Sequence, residues 1–234
     1  MSPAELPLPP ARRTRVKICG LTREQDVDAA VAAGADAVGF IMYPPSPRFV
    51  TVARAAELAR RLPPFITPVL LFVNETPQAV QAAGKAMPNV LLQFHGDETP
   101  EQCQAAAAGR PYMRAARIPL GDGAAGFDLV KYAQEYSQAQ AILLDAHVEG
   151  FGGGGKAFNW SLLPPSVNCH LVLSGGLTPA NVTDGISALR TRCKSLAVDV
   201  SSGVEASRGV KSPEKIQQFV TAVRAVDQQF AVRA

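Results

Sequence analysis

The sequence has few charged residues, few aromatic residues and no long hydrophobic run. Charged residues make up 18% and aromatic residues 6% of the 234 positions, and the formal net charge is only +3. Proteins that bind nucleic acid usually carry a basic patch or stripe, whereas the basic residues here are scattered outside residues 12–17. No apolar run approaches the roughly 20 residues that cross a bilayer. We therefore expect neither a nucleic-acid partner nor a membrane segment.

Metal-binding patterns are also missing. The sequence contains four cysteines and three histidines: Cys19, Cys103, Cys169, Cys193, His95, His147 and His170. None of them falls at the short spacings of zinc sites or redox pairs. We predict free thiols in a reducing cytoplasm and no metal ion.

The first residues differ in composition from the rest. Residues 1–14 are rich in proline and lack the apolar core of a secretory signal, and Glu5 argues against a transit peptide. We interpret residues 1–14 as a disordered leader and residues 15–234 as one folded domain. With 47% hydrophobic residues, that domain can bury a large core.

Short apolar runs alternate with longer helical patterns throughout this domain, which is typical of parallel strands joined by crossover helices. The predicted strands cover residues 16–19, 37–41, 66–72, 90–95, 112–116, 141–145, 171–174 and 196–200. Helices are predicted at residues 23–33, 52–62 and 127–136. A hydroxyl residue followed by proline is typical of a capped helix start. It occurs at Thr76-Pro77, Thr99-Pro100, Thr178-Pro179 and Ser212-Pro213.

Eight strands of this kind can close into a (βα)8 TIM barrel or lie open as a doubly wound sheet. An open sheet normally carries its phosphate-binding glycines after the first strand, whereas the glycine-rich segments here follow strands 6, 7 and 8. We therefore predict the α/β barrel, in which phosphate commonly binds to the loops after strands 7 and 8.

Active sites of such barrels lie at the C-terminal ends of the strands. Cys19 ends strand 1, where it is either a small buried residue or a base with a lowered pKa. Asp145 ends strand 6, where it either turns the chain or serves as a general acid. Asp199 on strand 8 should face inward, because an idle carboxylate among apolar neighbours would be costly.

Two further side chains stand near strand ends. Arg48 follows a proline-rich loop after strand 2 and could be solvated or could bind a substrate carboxylate. His95 at the end of strand 4 could be structural or could contact substrate.

Backbone amides of glycine-rich turns could bind phosphate. The chain has no complete P-loop, because no Ser or Thr follows Lys156, which argues against nucleotide triphosphate hydrolysis. The candidate phosphate-binding residues are Gly154, Gly155, Gly175, Gly176, Ser202 and Gly203.

Seven motifs in order resemble those of the phosphoribosylanthranilate isomerase family of tryptophan biosynthesis. They are VKICGLT at residues 16–22, GADAVGF at 34–40, QFHG at 93–96, LLD at 143–145, the glycine-rich segment 152–160, LSGGL at 173–177 and VDVSSGVE at 198–205. Each motif alone is weak, but the ordered set is specific. Phe94 and Asn159 depart from the usual leucine and the frequent aspartate of the family.

The resemblance implies an Amadori rearrangement of N-(5-phosphoribosyl)anthranilate without a metal or cofactor. We expect a cytoplasmic protein that is a monomer or a homodimer. The resemblance also implies that Asp145 is the general acid and Cys19 the general base. Arg48 would hold the anthranilate carboxylate, and Asp199 would contact the anthranilate.

Two alternatives remain open at this point. A histidine-pathway sugar isomerase would use the same chemistry on a larger bisphosphate. The resemblance to that family is weaker, because its barrel has aspartate at the position of Cys19. A barrel that binds a phosphorylated ligand without catalysis is the second alternative, since fold does not determine function.

Overall fold

The computed structural model describes residues 13–120, 126–146 and 163–232. Within these ranges, eight parallel strands form a closed barrel in the order of the chain, and β8 pairs with β1. The strands are β1 (Arg15–Cys19), β2 (Ala37–Ile41), β3 (Thr67–Phe72), β4 (Leu91–Phe94), β5 (Tyr112–Ile118), β6 (Ala141–Ala146), β7 (Val167–Leu173) and β8 (Cys193–Val200). This confirms the predicted (βα)8 barrel and all eight strands, which differ from the prediction only in where some begin or end.

Helices surround the barrel. The described residues contain α1 (Glu24–Ala32), α2 (Val52–Ala59), α3 (Pro77–Ala86), α4 (Pro100–Ala107), α5 (Leu129–Glu135), α6 (Val182–Leu189) and α7 (Pro213–Val232). The main core lies between the helices and the outward faces of the strands. Inside the barrel, a second cluster fills the centre with Val69, Met113, Ala115, Leu143 and Val172. The interior is therefore packed, and a ligand has room only at an end.

Three of the four predicted hydroxyl-proline starts are helix caps. The side chains of Thr76 and Thr99 accept hydrogen bonds from the first turns of α3 and α4, and Ser212 accepts one from Lys215 at the start of α7. Such caps satisfy amides that have no partner within the helix. These interactions fix where the helices begin relative to the preceding strands.

The fourth predicted start is wrong, because α6 begins at Val182 rather than at Thr178-Pro179. The side chain of Asn181 accepts a hydrogen bond from the Thr178 amide and donates one to the Gly176 carbonyl. These two bonds hold the intervening residues in a turn. The second helix also ends earlier than predicted, at Ala59.

The folded domain begins before the predicted end of the leader. Thr14, which the sequence placed in the leader, is buried, and its amide and hydroxyl both donate to the carboxylate of Asp227. Residues 1–12 lie outside the described residues, as do residues 147–162, which include Gly154 and Gly155. None of the helices in the described ranges is both long enough and apolar enough to cross a membrane.

Candidate active site

The predicted catalytic residues stand at the same end of the barrel, on strands that are not adjacent. Cys19 ends β1 and Asp145 is the penultimate residue of β6, and both are buried. Strands β7 and β8 separate them in the closed sheet. Asp199 near the end of β8 is also buried and faces inward, as predicted from the cost of an idle carboxylate.

Asp145 is paired with a histidine. The Nε2 atom of His95 lies 2.9 Å from Oδ2 of Asp145, and Nδ1 of His95 lies 2.9 Å from the amide nitrogen of Gln93. Parity along β4 directs both Gln93 and His95 to the barrel interior. His95 is therefore brought to the predicted acid, where it can share a proton with the carboxylate.

The orientation of the Gln93 amide determines where that proton resides. With its nitrogen toward His95, Gln93 can only donate, so Nδ1 accepts and Nε2 donates to an Asp145 carboxylate. In this orientation the buried carbonyl of Gln93 has no hydrogen-bond partner among the described residues. Turning the amide over would let its carbonyl accept from Nδ1, and Nε2 could then accept a proton from a carboxylic acid. The second form is the one a general acid needs.

Gly175 follows β7 and packs against Asp145. Its φ is +76°, and a Cβ atom there would lie 2.5 Å from the Ala146 amide nitrogen and 2.8 Å from Oδ1 of Asp145. Both the backbone conformation and the close contact require glycine. The absence of a side chain therefore allows the β7 loop to approach the carboxylate.

Cys19 shares a small space with a lysine. The Nζ atom of Lys17 donates to Oδ1 of Asp199 at 2.9 Å, and it borders the same point at Gly39 as the Cys19 sulfur. On β2 the residue paired with Cys19 is Gly39, where a Cβ atom would lie 2.7 Å from Sγ of Cys19 and 3.1 Å from Nζ of Lys17. A side chain at this position would displace the thiol and the ammonium, so the glycine gives both groups room.

Opposing influences act on the Cys19 thiol. Burial raises its pKa above the ordinary value, and the Asp199 carboxylate adds to that, while the positive charges of Lys17 and Lys211 lower it. Burial is the larger effect, so the pKa of the Cys19 thiol is raised on balance. A base in the resting protein would need a lowered thiol pKa, whereas the pKa of Cys19 is raised. Burial would also lower the pKa of Lys17, but Asp199 and Cys19 outweigh it and raise that pKa.

Asp199 connects the β1 side of the site to β7. Its second carboxylate oxygen accepts a hydrogen bond from the Ser174 hydroxyl at 3.3 Å. Both carboxylate oxygens of Asp199 thus have donors within the protein, Lys17 on one side and Ser174 on the other.

Arg48 lies in an internal ion pair instead of being solvated. Its Nε and Nη2 atoms donate to the two carboxylate oxygens of Glu205 at 2.6 and 2.9 Å, and Arg48 is buried. Lys211 also donates to Glu205, at 2.9 Å, and to the Ser201 carbonyl at 3.0 Å. Residues Glu205–Ser207 and Val210–Lys211 form a short antiparallel pair after β8 that carries this cluster. The pair therefore fixes the direction of the Arg48 side chain.

The ion pairs of Glu205 with Arg48 and Lys211 should make the stability of the fold depend on pH. Burial would raise the pKa of Glu205, but Arg48 and Lys211 together lower it from 4.5 to about 2. A carboxylate with a lowered pKa stabilises the fold above its unfolded pKa and loses that effect as pH falls through the folded value. We expect Glu205→Gln to cost about 3–5 kcal/mol near neutral pH, because two buried cations lose their partner. That difference should shrink as pH falls from 4.5 to about 2.

Urea unfolding of both proteins at several pH values measures this difference. Glu135→Gln on the exposed side of α5 is the matched control and should change stability by less than about 0.5 kcal/mol. A Glu205→Gln difference that stays constant with pH would contradict the assignment.

The predicted phosphate-binding residues lie after β7 and β8. No described residue accepts a hydrogen bond from the amides of Gly175, Gly176, Ser202 or Gly203. A Cβ atom on Gly203 would collide with the Leu177 carbonyl, so the two loops touch at a position where only glycine fits. Four amides with open bonding capacity are thereby placed on adjoining loops, which is suitable for an anion.

Sequence reasoning missed four residues that complete the site: Lys17, Gln93, Glu205 and Lys211. Lys17 shares a side of β1 with Cys19, but its partner Asp199 is 182 residues away. Glu205 belonged to a quoted motif without an assigned role, and only the folded chain brings it to Arg48.

Comparison with known proteins identifies the family. The profile of the N-(5'-phosphoribosyl)anthranilate isomerase family matches residues 16–222. The N-(5'-phosphoribosyl)anthranilate isomerase of Leptothrix cholodnii is 61% identical over 220 residues, which cover 94% of each chain.

Solved structures agree with this match. Phosphoribosyl anthranilate isomerase from Thermotoga maritima is 37% identical with a TM-score of 0.79, over 91% of this chain and 99% of that one. A complex of phosphoribosyl anthranilate isomerase with reduced 1-(o-carboxyphenylamino)-1-deoxyribulose 5-phosphate is 34% identical with a TM-score of 0.73, over the same shares of the two chains. The profile, the curated relative and the barrel structures all lead to one conclusion: the chain belongs to the N-(5'-phosphoribosyl)anthranilate isomerase family.

Proposed function

We propose that the protein converts N-(5-phosphoribosyl)anthranilate to 1-(2-carboxyphenylamino)-1-deoxyribulose 5-phosphate in tryptophan biosynthesis, with Asp145 as general acid and Cys19 as general base. The observation that carries the proposal is the placement of the two groups. Each stands at the C-terminal end of its strand, and between them lie β7 and β8, whose loops present open amides. A substrate held by its phosphate on those loops would have an acid on one side and a base on the other.

The first step opens the furanose ring. A protonated Asp145 gives its proton to the ring oxygen, the bond from that oxygen to C1 breaks, and the nitrogen lone pair forms the C1–N double bond. The carboxyl group must carry a proton at the start, so the step requires the form in which Nε2 of His95 accepts and Gln93 turns its carbonyl to Nδ1. In that form the Gln93 carbonyl, which has no partner in the present orientation, would accept a hydrogen bond from His95.

The second step removes the proton from C2. The Cys19 thiolate takes this proton and becomes a thiol, while the C–H electron pair forms the C1–C2 double bond and neutralises the iminium nitrogen. The resulting enolamine becomes the ketone when the C2 hydroxyl loses its proton and C1 gains one. Positioned acids and bases accelerate such proton transfers by about 10²–10⁴-fold each.

Binding groups would hold the substrate at both ends. The amides of Gly175, Gly176, Ser202 and Gly203 are proposed to bind the phosphate, together with Gly154 and Gly155 outside the described residues. Arg48 is proposed to hold the anthranilate carboxylate: Glu205 occupies its Nε and Nη2, which leaves Nη1 for a ligand. Asp199 and His95 complete the proposed contacts.

The two alternatives make different demands. A histidine-pathway isomerase would be expected to have aspartate as the base on strand 1, whereas this chain has Cys19 near a lysine. A binding protein without catalysis would not need a paired histidine and aspartate opposite a paired cysteine and lysine. The isomerase accounts for both pairs.

The direct test supplies phosphoribosylanthranilate to the purified protein and follows the loss of its fluorescence. We expect turnover without added metal or cofactor. Absence of turnover, with retained binding of the reduced product analogue, would favour the binding protein instead. The bisphosphate substrate of the histidine pathway is the control and should not be converted at a comparable rate.

The cellular setting follows from this assignment. We propose that the protein acts in the cytoplasm on a small phosphorylated substrate, as a monomer or a homodimer. Light scattering at the concentration used for kinetics distinguishes the two assemblies.

A further inference from the structure

Lys17 is a buried lysine inside the barrel. The proposed function assigns it no contact with the phosphate or the carboxylate of the substrate. The residue is only 4% exposed, and it lies two positions before Cys19 on the same face of β1. Burying an ammonium group is costly unless it is paired and hydrogen-bonded. Its presence at this position calls for an explanation beyond packing.

The ammonium group has one hydrogen-bonded partner and one close neighbour. The partner is the Asp199 carboxylate at 2.9 Å, across the β1–β8 pair in which Lys17 and Asp199 are register partners. The neighbour is the sulfur of Cys19, which borders the same point at Gly39 as Nζ of Lys17. Asp199 keeps Lys17 charged and fixes its direction, and the remaining hydrogens of the ammonium are available to the sulfur.

The neighbouring strand makes this arrangement possible. Gly39 on β2 faces both groups, and any Cβ there would lie within 3.1 Å of both Sγ of Cys19 and Nζ of Lys17. The gap left by the missing side chain gives the thiol and the ammonium room to lie near each other.

We propose that Lys17 is a positioning residue for the general base: its ammonium, held by Asp199, is the charge that stabilises the Cys19 thiolate. This inference rests on the proposed function in one respect, the role of Cys19 as the base. The thiol loses its proton to solvent or to a bound group before it accepts the C2 proton of the substrate, and Lys17 stays protonated throughout.

Other charges surround the same sulfur and must be separated from this effect. The positive charge of Lys211 also lowers the pKa of Cys19. Lys211 donates to Ser201 and to Glu205, and Glu205 also binds Arg48. The Asp199 carboxylate opposes thiolate formation. Removing Lys17 alone would therefore expose Cys19 to an uncompensated carboxylate, which is why a paired substitution is needed.

The test compares Asp199→Asn with the double variant Lys17→Met, Asp199→Asn, so that the carboxylate is absent from both. The thiolate is titrated by its absorbance near 240 nm, with the same variants carrying Cys19→Ser as blanks. An adjacent positive charge shifts a pKa by about 1–3 units, so the thiolate midpoint should lie about 1–3 pH units higher in the double variant. Equal midpoints would overturn the proposal and leave Lys17 a space-filling role.

Kinetics of Lys17→Met provide a second measurement, which reports the loss of the ammonium charge together with the exposure of Cys19 to the Asp199 carboxylate. In Lys17→Met, kcat/KM at neutral pH should fall by at least about tenfold and recover as pH rises, because the thiolate fraction is what limits the rate. Lys17→Arg keeps a positive charge and should retain the wild-type pH profile more closely. Lys131→Met, an exposed lysine of α5, is the control for loss of charge alone. An unchanged profile in a folded Lys17→Met protein would contradict the proposal.

The two levels of proposal can fail separately. If the wild-type protein does not convert phosphoribosylanthranilate, the proposed function fails, yet the absorbance titration still reports whether Lys17 stabilises the thiolate. If turnover is present but the midpoint does not move, only the role of Lys17 is wrong.

Discussion

Asp145→Asn is expected to abolish measurable isomerisation, with kcat reduced by at least about 10²–10⁴-fold, the range usually contributed by a positioned acid. Asparagine has nearly the same shape and can keep the contacts with His95 and the Gly175 loop, but it has no acidic proton for the ring oxygen. The fluorescence assay measures the loss, and titration with the reduced product analogue measures binding. We expect the affinity for the analogue to stay within a few-fold of wild type.

The control for this variant is Asp28→Asn on α1, which makes the same chemical change in an exposed ion pair with Arg61. It should leave kcat unchanged. Full activity of Asp145→Asn would remove Asp145 from the mechanism, and a parallel loss of analogue binding would assign it to substrate binding instead.

Cys19→Ala and Cys19→Ser are expected to cause a second loss of about 10²–10⁴-fold in kcat with product binding largely intact. Serine tests the chemistry more sharply, since it preserves the side-chain shape while its hydroxyl is far less acidic than a thiol. Because burial raises the pKa of the Cys19 thiol, kcat/KM of the wild-type protein should rise with pH across the neutral range. The serine variant should lose that rise.

Cys169→Ala on β7 is the control for this pair, because Cys169 is partly exposed and free. Its activity and pH profile should match those of wild type. Retention of full activity in either Cys19 variant would require another base in the site.

The sequence was sufficient for the architecture because the barrel depends on local patterns. Each apolar run, helix cap and glycine turn was readable within a few residues, and the strands followed. The α6 start failed for a local reason as well, since the Asn181 side chain competes with the Thr178-Pro179 cap.

The strand-end rule also located the residues proposed as acid and base, but the residues that contact them could not be predicted. Gln93 acts on Asp145 only through His95, and Lys17 reaches Asp199 only because β1 and β8 close the barrel. Arg48 illustrates the same limit, because its pairing with Glu205 spans 157 residues. Interactions between distant segments depend on register and packing, which no local pattern contains.

The Lys17–Asp199 pair has a consequence for how the chain folds. The first strand supplies the lysine and the last strand supplies its counterion, so any intermediate that has collapsed without β8 holds a desolvated ammonium with no partner. Such an unpaired buried charge costs several kcal/mol, which penalises incomplete barrels and makes closure more cooperative. Thr14, which precedes β1, and Asp227 on α7 form a further contact between the first strand and the last helix. The Lys17–Asp199 pair thus also favours the complete barrel over its fragments.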